Sequence, residues 1–317
     1  MAPGLRRRTA SEAVEPELNC NESSDSVQGS VMADNRTGNQ SAYTLAPPLR
    51  VPAVKPSAHS AYGESICLTD TVVLRDVVHV IDDLGLAEFS AVAAAYGQDR
   101  YGYVVTPNVD HLIRFYEDAT FRAHYRAAEF ILLDSRFAAR LVYLLKGVRL
   151  PVCTGSDLTA HLLAQVIRPD DRIVMIGGSA EQAQHIATRY GLKDLRHHNP
   201  PMGFINDPAA VEACLEFIEK SGPFRFCFLA VGCPQQEMIA QSLKTRGVAR
   251  GLALCVGASM NFITGHEKRA PRWIQKLSLE WFYRLMQNPR RLAHRYLVRG
   301  PRIFGLLRRS RIVLRKA

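Results

Sequence analysis

From about Thr69 onward the chain alternates short apolar runs with segments of helical period. TVVLRDVVHVIDDLG leads into LAEFSAVAAAYG, YGYVVT into VDHLIRFYEDATFRAHYRAA, EFILL into SRFAARLVYLLKG, and RIVMIGG into SAEQAQHIATRYG. FRFCFLAVG then precedes PQQEMIAQSLKTRG, and LALCVG leads into the stretch that begins at Gly257. Short β-branched and apolar runs separated by longer helical patterns predict parallel strands joined by crossover helices. The expected fold class is α/β, a parallel Rossmann-like sheet with a basic helical C-terminal appendage.

Composition divides the chain. Residues 1–60 mix Ser, Asn, Glu, Pro and Arg with few large apolar side chains and end in APPLRVPAVKP, which predicts a disordered extension and linker. Residues 61–265 carry the α/β pattern, and 266–317 form the appendage. The chain has a net charge of +10, yet from Lys268 onward it has fifteen Lys/Arg and one acid, Glu280, so the body is mildly acidic. A basic tail of this kind implies an anionic partner. Its basic residues alternate with Ile303, Phe304, Leu306, Leu307, Ile312, Val313 and Leu314, a pattern that suits an anionic membrane surface better than nucleic acid. No nucleic-acid partner is expected.

The seven cysteines form no CxxC pair and have no His spacing of a zinc site, and several sit inside apolar runs as small buried hydrophobes. No apolar stretch approaches the length of a membrane span and no signal-peptide pattern opens the sequence, so a cytoplasmic, peripheral location is expected. Gly177-Gly178 are adjacent rather than spaced as in G-x-G-x-x-G, and no Walker sequence occurs, which argues against a hydride enzyme or a P-loop NTPase.

Polar and glycine residues gather where the apolar runs end, the place where open parallel sheets bind ligands. Asp134 closes FILL and could serve as a general base from a partly desolvated crevice floor, or simply cap the helix beginning at Arg136. Thr106 and Asn108 flank Pro107 and could hydrogen-bond a sugar or phosphate, or cap the next helix. Gly177 and Gly178 offer backbone to a phosphate or only a tight turn. In GCPQQE, Gly232 admits close approach, while Gln236 and Glu237 stand in a first helical turn as partners for a nucleoside. Asp82-Asp83 suggest a cap or turn.

Taken together, TPN (106–108), Asp134, VCTGSDL (152–158), IGG (176–178), GCPQQE (232–237), VGASMNFITG (256–265), RAPRW (269–273), EWFYRL (280–285) and NPRRLAHRY (288–296) resemble, in order and spacing, the WecG/TagA/CpsF glycosyltransferases. The resemblance covers roughly residues 70–300. It implies an inverting transfer from a UDP-sugar to a sugar on a polyprenyl diphosphate, without a metal or other cofactor. On that analogy Asp134 is the base, while Thr106, Asn108, Gly177, Gly178, Gly232, Gln236, Glu237 and Asn261 serve the donor side. Arg284, Arg291 and Arg295 would meet the diphosphates. Two positions depart from the family pattern: Ser135 where Gly is usual after the base, and Asn261 where Asp commonly precedes Phe. They leave open a relative that binds nucleotide sugar without turning it over.

Overall fold

The structure, a computed structural model, describes residues 77–316, without the side chains of Arg272 and Arg291. The expectations for residues 1–60 and for the side chain of Arg291 lie outside the described residues.

The elements run β1 (Val78–Asp82), α1 (Leu86–Ala95), β2 (Tyr101–Val105), α2 (Val109–Glu117), α3 (Ala119–Arg126), β3 (Phe130–Ile131), α4 (Arg136–Lys146) and α5 (Gly155–His161). They continue with β4 (Arg172–Ile176), α6 (Ala180–Tyr190), β5 (Asp194–His198), α7 (Pro208–Lys220), β6 (Phe226–Leu229), α8 (Gln235–Arg246) and β7 (Gly251–Cys255). After these come α9 (Ser259–Ile263), α10 (Arg272–Lys276), α11 (Glu280–Gln287), α12 (Pro289–Ala293), α13 (Arg302–Arg309) and β8 (Arg311–Arg315).

Six strands form a parallel sheet in the order β3-β2-β7-β6-β4-β5, as the alternation of apolar runs and helices predicts. Every residue of β6 and β7 is buried, because helices cover both faces, and this explains why these strands read as unbroken apolar runs. Side-chain alternation splits the core in two. Tyr103 and Val105 of β2 join the cluster that includes α2, α3, α4, α7, α8 and α13, while Val104 joins Phe89, Leu158, Ile186 and Met260 on the other face.

Three strands, β1, β8 and β5, depart from the sequence expectation. The strand β1 pairs not with the main sheet but in parallel with β8, at the far end of the chain, with Val78 opposite Arg311 and Asp82 opposite Arg315. Asp82 is neither a helix cap nor solvated. Its buried carboxylate accepts the Ile131 N–H at 2.6 Å and Arg315 Nη2 at 2.8 Å, tying the small sheet to the edge of the large one. The edge strand β5, DLRHH, has no apolar run to announce it and forms through its pairing with β4.

Candidate active site

The strand order fixes what can meet at the C-terminal edge. Val105 lies opposite Cys255, Cys255 opposite Leu229, and Leu229 opposite Ile176, so the turns at Thr106, Gly257, Gly232 and Gly177 stand side by side. Asp134 joins this row beyond β3, with its N–H donating to the Pro107 carbonyl at 2.8 Å.

Gly155 reveals how closely the first of these turns converge. A Cβ at this position would lie 3.2 Å from Thr106 Oγ1, 3.4 Å from Ser259 Oγ and 3.6 Å from Asp134 Oδ2. Thr106 Oγ1 donates to the Cys255 carbonyl at 3.0 Å and Ser259 Oγ to the Val256 carbonyl at 2.6 Å, so both hydroxyls are fixed.

Ser135, not Asp134, is the cap of α4, its hydroxyl accepting the Ala138 N–H at 3.0 Å. The residue adopts an extended φ of −163°, so this turn has no need of glycine. The Asp134 carboxyl retains some exposure but is densely surrounded. That desolvation and the nearby Glu280 push its pKa up to about 7, against the opposing pull of Arg284, the Gly155 N–H and Arg269.

Arg269 is held from the other side. It is bonded to Asp157 and donates to Thr154 Oγ1 at 3.2 Å, while Asp157 also accepts Arg136 at 3.2 Å and the Thr154 hydroxyl at 2.8 Å. Burial works against the Asp157 anion, but these partners outweigh it and hold its pKa down at about 2. Sequence reasoning did not place Arg269, Asp157, Glu280 or Gly155 at the site. Their signal lay in the TGSD, RAP and EWFYRL motifs, which show position but not which side chain turns toward Asp134.

Asn108 caps α2, its Oδ1 accepting the Asp110 N–H at 3.0 Å, and it also accepts Arg295 Nη2 at 3.2 Å. Cap and tail arginine thus meet on one oxygen. Arg295 lies 3.7 Å from Asp110, and Arg299 pairs with Asp110 and Glu117. Arg284 sits over the Phe262 ring at 4.8 Å, close enough to Asp134 to lower its pKa.

Gly177 and Gly178 both have positive φ, and a Cβ on Gly177 would stand 2.9 Å from the Ala230 carbonyl, so this turn requires glycine on packing grounds alone. Beyond it Ser179 and Gln182 form a capping box that opens α6. Gln182 Nε2 reaches Asn261 Oδ1 and Thr264 Oγ1, each at 3.0 Å, so Asn261 is tied to the β4 turn through an uncharged amide pair.

The first turn of α8, expected to meet a nucleoside, is packed against its neighbours. Gly232 keeps its positive φ and its carbonyl accepts the Gln236 N–H at 2.9 Å. Gln236 is 2% exposed, and its amide accepts the Gly257 N–H at 2.9 Å and donates to Glu237 Oε1 at 2.9 Å. It braces two neighbouring turns from beneath. Glu237 is fully buried, and the helical period that brings Gln236 under the Gly257 turn carries Glu237 into the core beside His111 and Cys233. In this arrangement it does not face the crevice.

The tail presents apolar side chains as well as charge. Trp273 is 64% exposed and Met286 66%, with Phe282, Leu297, Val298 and Phe304 also exposed among the basic residues. No helix among the described residues is long and apolar enough to cross a membrane.

A desolvated carboxyl released from capping and faced by arginines, at the carboxyl edge of a parallel sheet, is suited to take a proton from a hydroxyl next to a charged leaving group. The sequence profile described as glycosyl transferase WecG/TagA/CpsF family matches residues 76–317, which span the whole sheet and the basic tail. The chain belongs to that family of glycosyltransferases.

Proposed function

We propose that this protein is an inverting hexosyl- or N-acetylhexosaminyltransferase. It takes its sugar from a UDP-sugar and gives it to a hydroxyl of a sugar carried on a polyprenyl diphosphate, during surface-glycan synthesis at the cytoplasmic face of the plasma membrane. The observation that carries this reading is the Asp134 carboxyl, uncapped and raised to about 7, beside Thr106 and Ser259.

In the reaction Asp134 accepts the acceptor hydroxyl proton as that oxygen bonds to the anomeric carbon. The bond from that carbon to the β-phosphate oxygen breaks, and UDP leaves with the electron pair. Arg284 and Arg295, with Arg291, neutralise the diphosphate charge without a metal at the reacting bond. Arg295 exchanges its weak contacts at Asn108 and Asp110 for the more highly charged diphosphate. Thr106, Asn108, Asn261 and the glycine turns at 177–178 and 232 line the donor side, while Gln236 acts through Gly257. The exposed rings and aliphatic side chains of the tail enter the head-group zone while its arginines and lysines meet lipid phosphates.

The test is a screen of UDP-sugars with polyprenyl-diphosphate-linked acceptors, read by acceptor-dependent UDP release and by product mass. Release from one donor, lost in Asp134→Ala, is the expected result. Tight UDP binding with no transfer from any donor would instead identify a nucleotide-sugar binder.

A further inference from the structure

His111, Cys233 and Glu237 come from three parts of the chain: the first turn of α2, the loop after β6 and the first turn of α8. Each offers one ligand atom, and these atoms all lie within 4.8 Å of one another. His111 and Glu237 are buried, while Cys233 keeps partial exposure and leaves a path from solvent.

One feature within the cluster is unpaired. Glu237 Oε1 accepts Gln236 Nε2, but Oε2 is buried with no hydrogen-bond partner. An unpartnered carboxylate oxygen at zero exposure is costly unless something electropositive reaches it. The Cys233 sulfur and the Tyr125 hydroxyl lie beside this carboxyl, but neither completes a hydrogen bond to Oε2.

We propose that His111, Cys233 and Glu237 form a site for a divalent d-block cation of the zinc type. The combination of imidazole, thiolate and carboxylate is selective for such ions over magnesium or calcium, which prefer all-oxygen shells. Tetrahedral zinc with bonds of roughly 2.0–2.3 Å separates its ligand atoms by roughly 3.3–3.8 Å, so atoms that now lie within 4.8 Å of one another close by about 1.5 Å at most on binding. The charges of a thiolate and a carboxylate cancel those of the ion, which removes the cost of burying either anion alone. His111 is oriented by Tyr125 Oη, 3.1 Å from Nδ1, the kind of support that fixes a metal-binding imidazole while its other ring nitrogen meets the ion. The fourth position is left to water arriving from the Cys233 side.

Such an ion would lock the start of α2 to the start of α8. Asn108 caps the first of these helices and Gln236 stands in the first turn of the second, so the site would brace the crevice without touching the reacting atoms.

The experiment uses the full chain, stripped by a chelator and titrated with Co2+. We expect saturation at about one equivalent, with a thiolate-to-cobalt charge-transfer band that Zn2+ abolishes by displacement. Cys233→Ser should remove the band, and Glu237→Gln should keep it while weakening Co2+ affinity at least tenfold. Far-ultraviolet circular dichroism confirms that each variant is folded. Absence of the band in the wild-type chain overturns the proposal, as does a band that survives Cys233→Ser or Co2+ affinity unchanged by Glu237→Gln. These readouts need no sugar transfer, so their failure is separable from failure of the transferase reading.

Discussion

Ser135 and Asp134 divide two tasks that one residue could have held: the Ser135 hydroxyl caps α4 at 3.0 Å, and the Asp134 carboxyl is left for the crevice. Asp134→Asn should therefore lower kcat by at least about a hundredfold while the protein stays folded. Ser135→Ala should do the reverse, costing about 1 kcal/mol of stability through the lost cap and less than tenfold in rate. Steady-state kinetics and thermal melts on the two variants check the division.

The pH dependence follows from the sign of the Asp134 shift. Asp134 must be ionised to accept a proton, so kcat/KM should rise with pH along a limb centred near 7. Glu280→Gln removes a like charge and should move that limb to lower pH, whereas Arg284→Gln should move it higher. For stability the raised pKa means that the folded state binds the proton more tightly than the unfolded chain does. Its contribution is full below the ordinary value of 3.8 and is lost as pH rises through about 7. Asp134→Asn should consequently raise Tm more at pH 8 than at pH 5.

Gly155→Ala places a methyl group between Thr106, Ser259 and Asp134, at contacts of 3.2–3.6 Å. Both hydroxyls are held by hydrogen bonds and cannot easily give way, so the overpacked methyl group should lower stability by about 1–3 kcal/mol, outweighing alanine's better helix propensity. The rate should fall as well, because the methyl group occupies space beside Asp134. Thermal melts and steady-state kinetics check both, and an unchanged Tm would show that the hydroxyls yield.

Asp157→Asn removes the carboxylate that holds both Arg269 and Arg136. Loss of these charge-assisted bonds should cost about 1–3 kcal/mol. Arg269, freed from its anchor, should no longer keep its place near Asp134, so the activity limb should shift as well. Kinetics across pH, paired with denaturant unfolding, separate the two effects.

Deleting residues 311–317 tests whether the end of the chain belongs to the fold. It removes β8, unpairs β1 and leaves the buried Asp82 carboxylate without Arg315. Breaking a fully buried ion pair from one side typically costs about 3–5 kcal/mol, and with the Arg315 side chain 44% exposed the loss here should be smaller. Unfolding measurements should show this loss in the absence of any membrane. A deletion that left stability intact and reduced only vesicle binding would contradict it.

The sequence by itself determined the α/β class, because fully buried parallel strands demand continuous apolar runs and leave ligand contacts to the turns after them. It marked Thr106, Asn108, Asp134 and the glycine turns for the same reason: each directly follows such a run. Whether Asp134 or Ser135 caps α4 could not be read there, since adjacent Asp and Ser are both good caps and only backbone direction chooses between them. Strand β5 and the β1–β8 pair were hidden because edge and two-strand pairing depends on a partner, in one case more than 220 residues away, and not on local apolar content. Tertiary structure alone sent Glu237 inward, anchored Arg269 on Asp157, and brought His111 to Cys233 across a separation that no short-range metal motif spans. Periodicity specifies which face of an element is apolar, but contacts between distant polar groups are fixed only when the sheet order sets their strands and turns side by side.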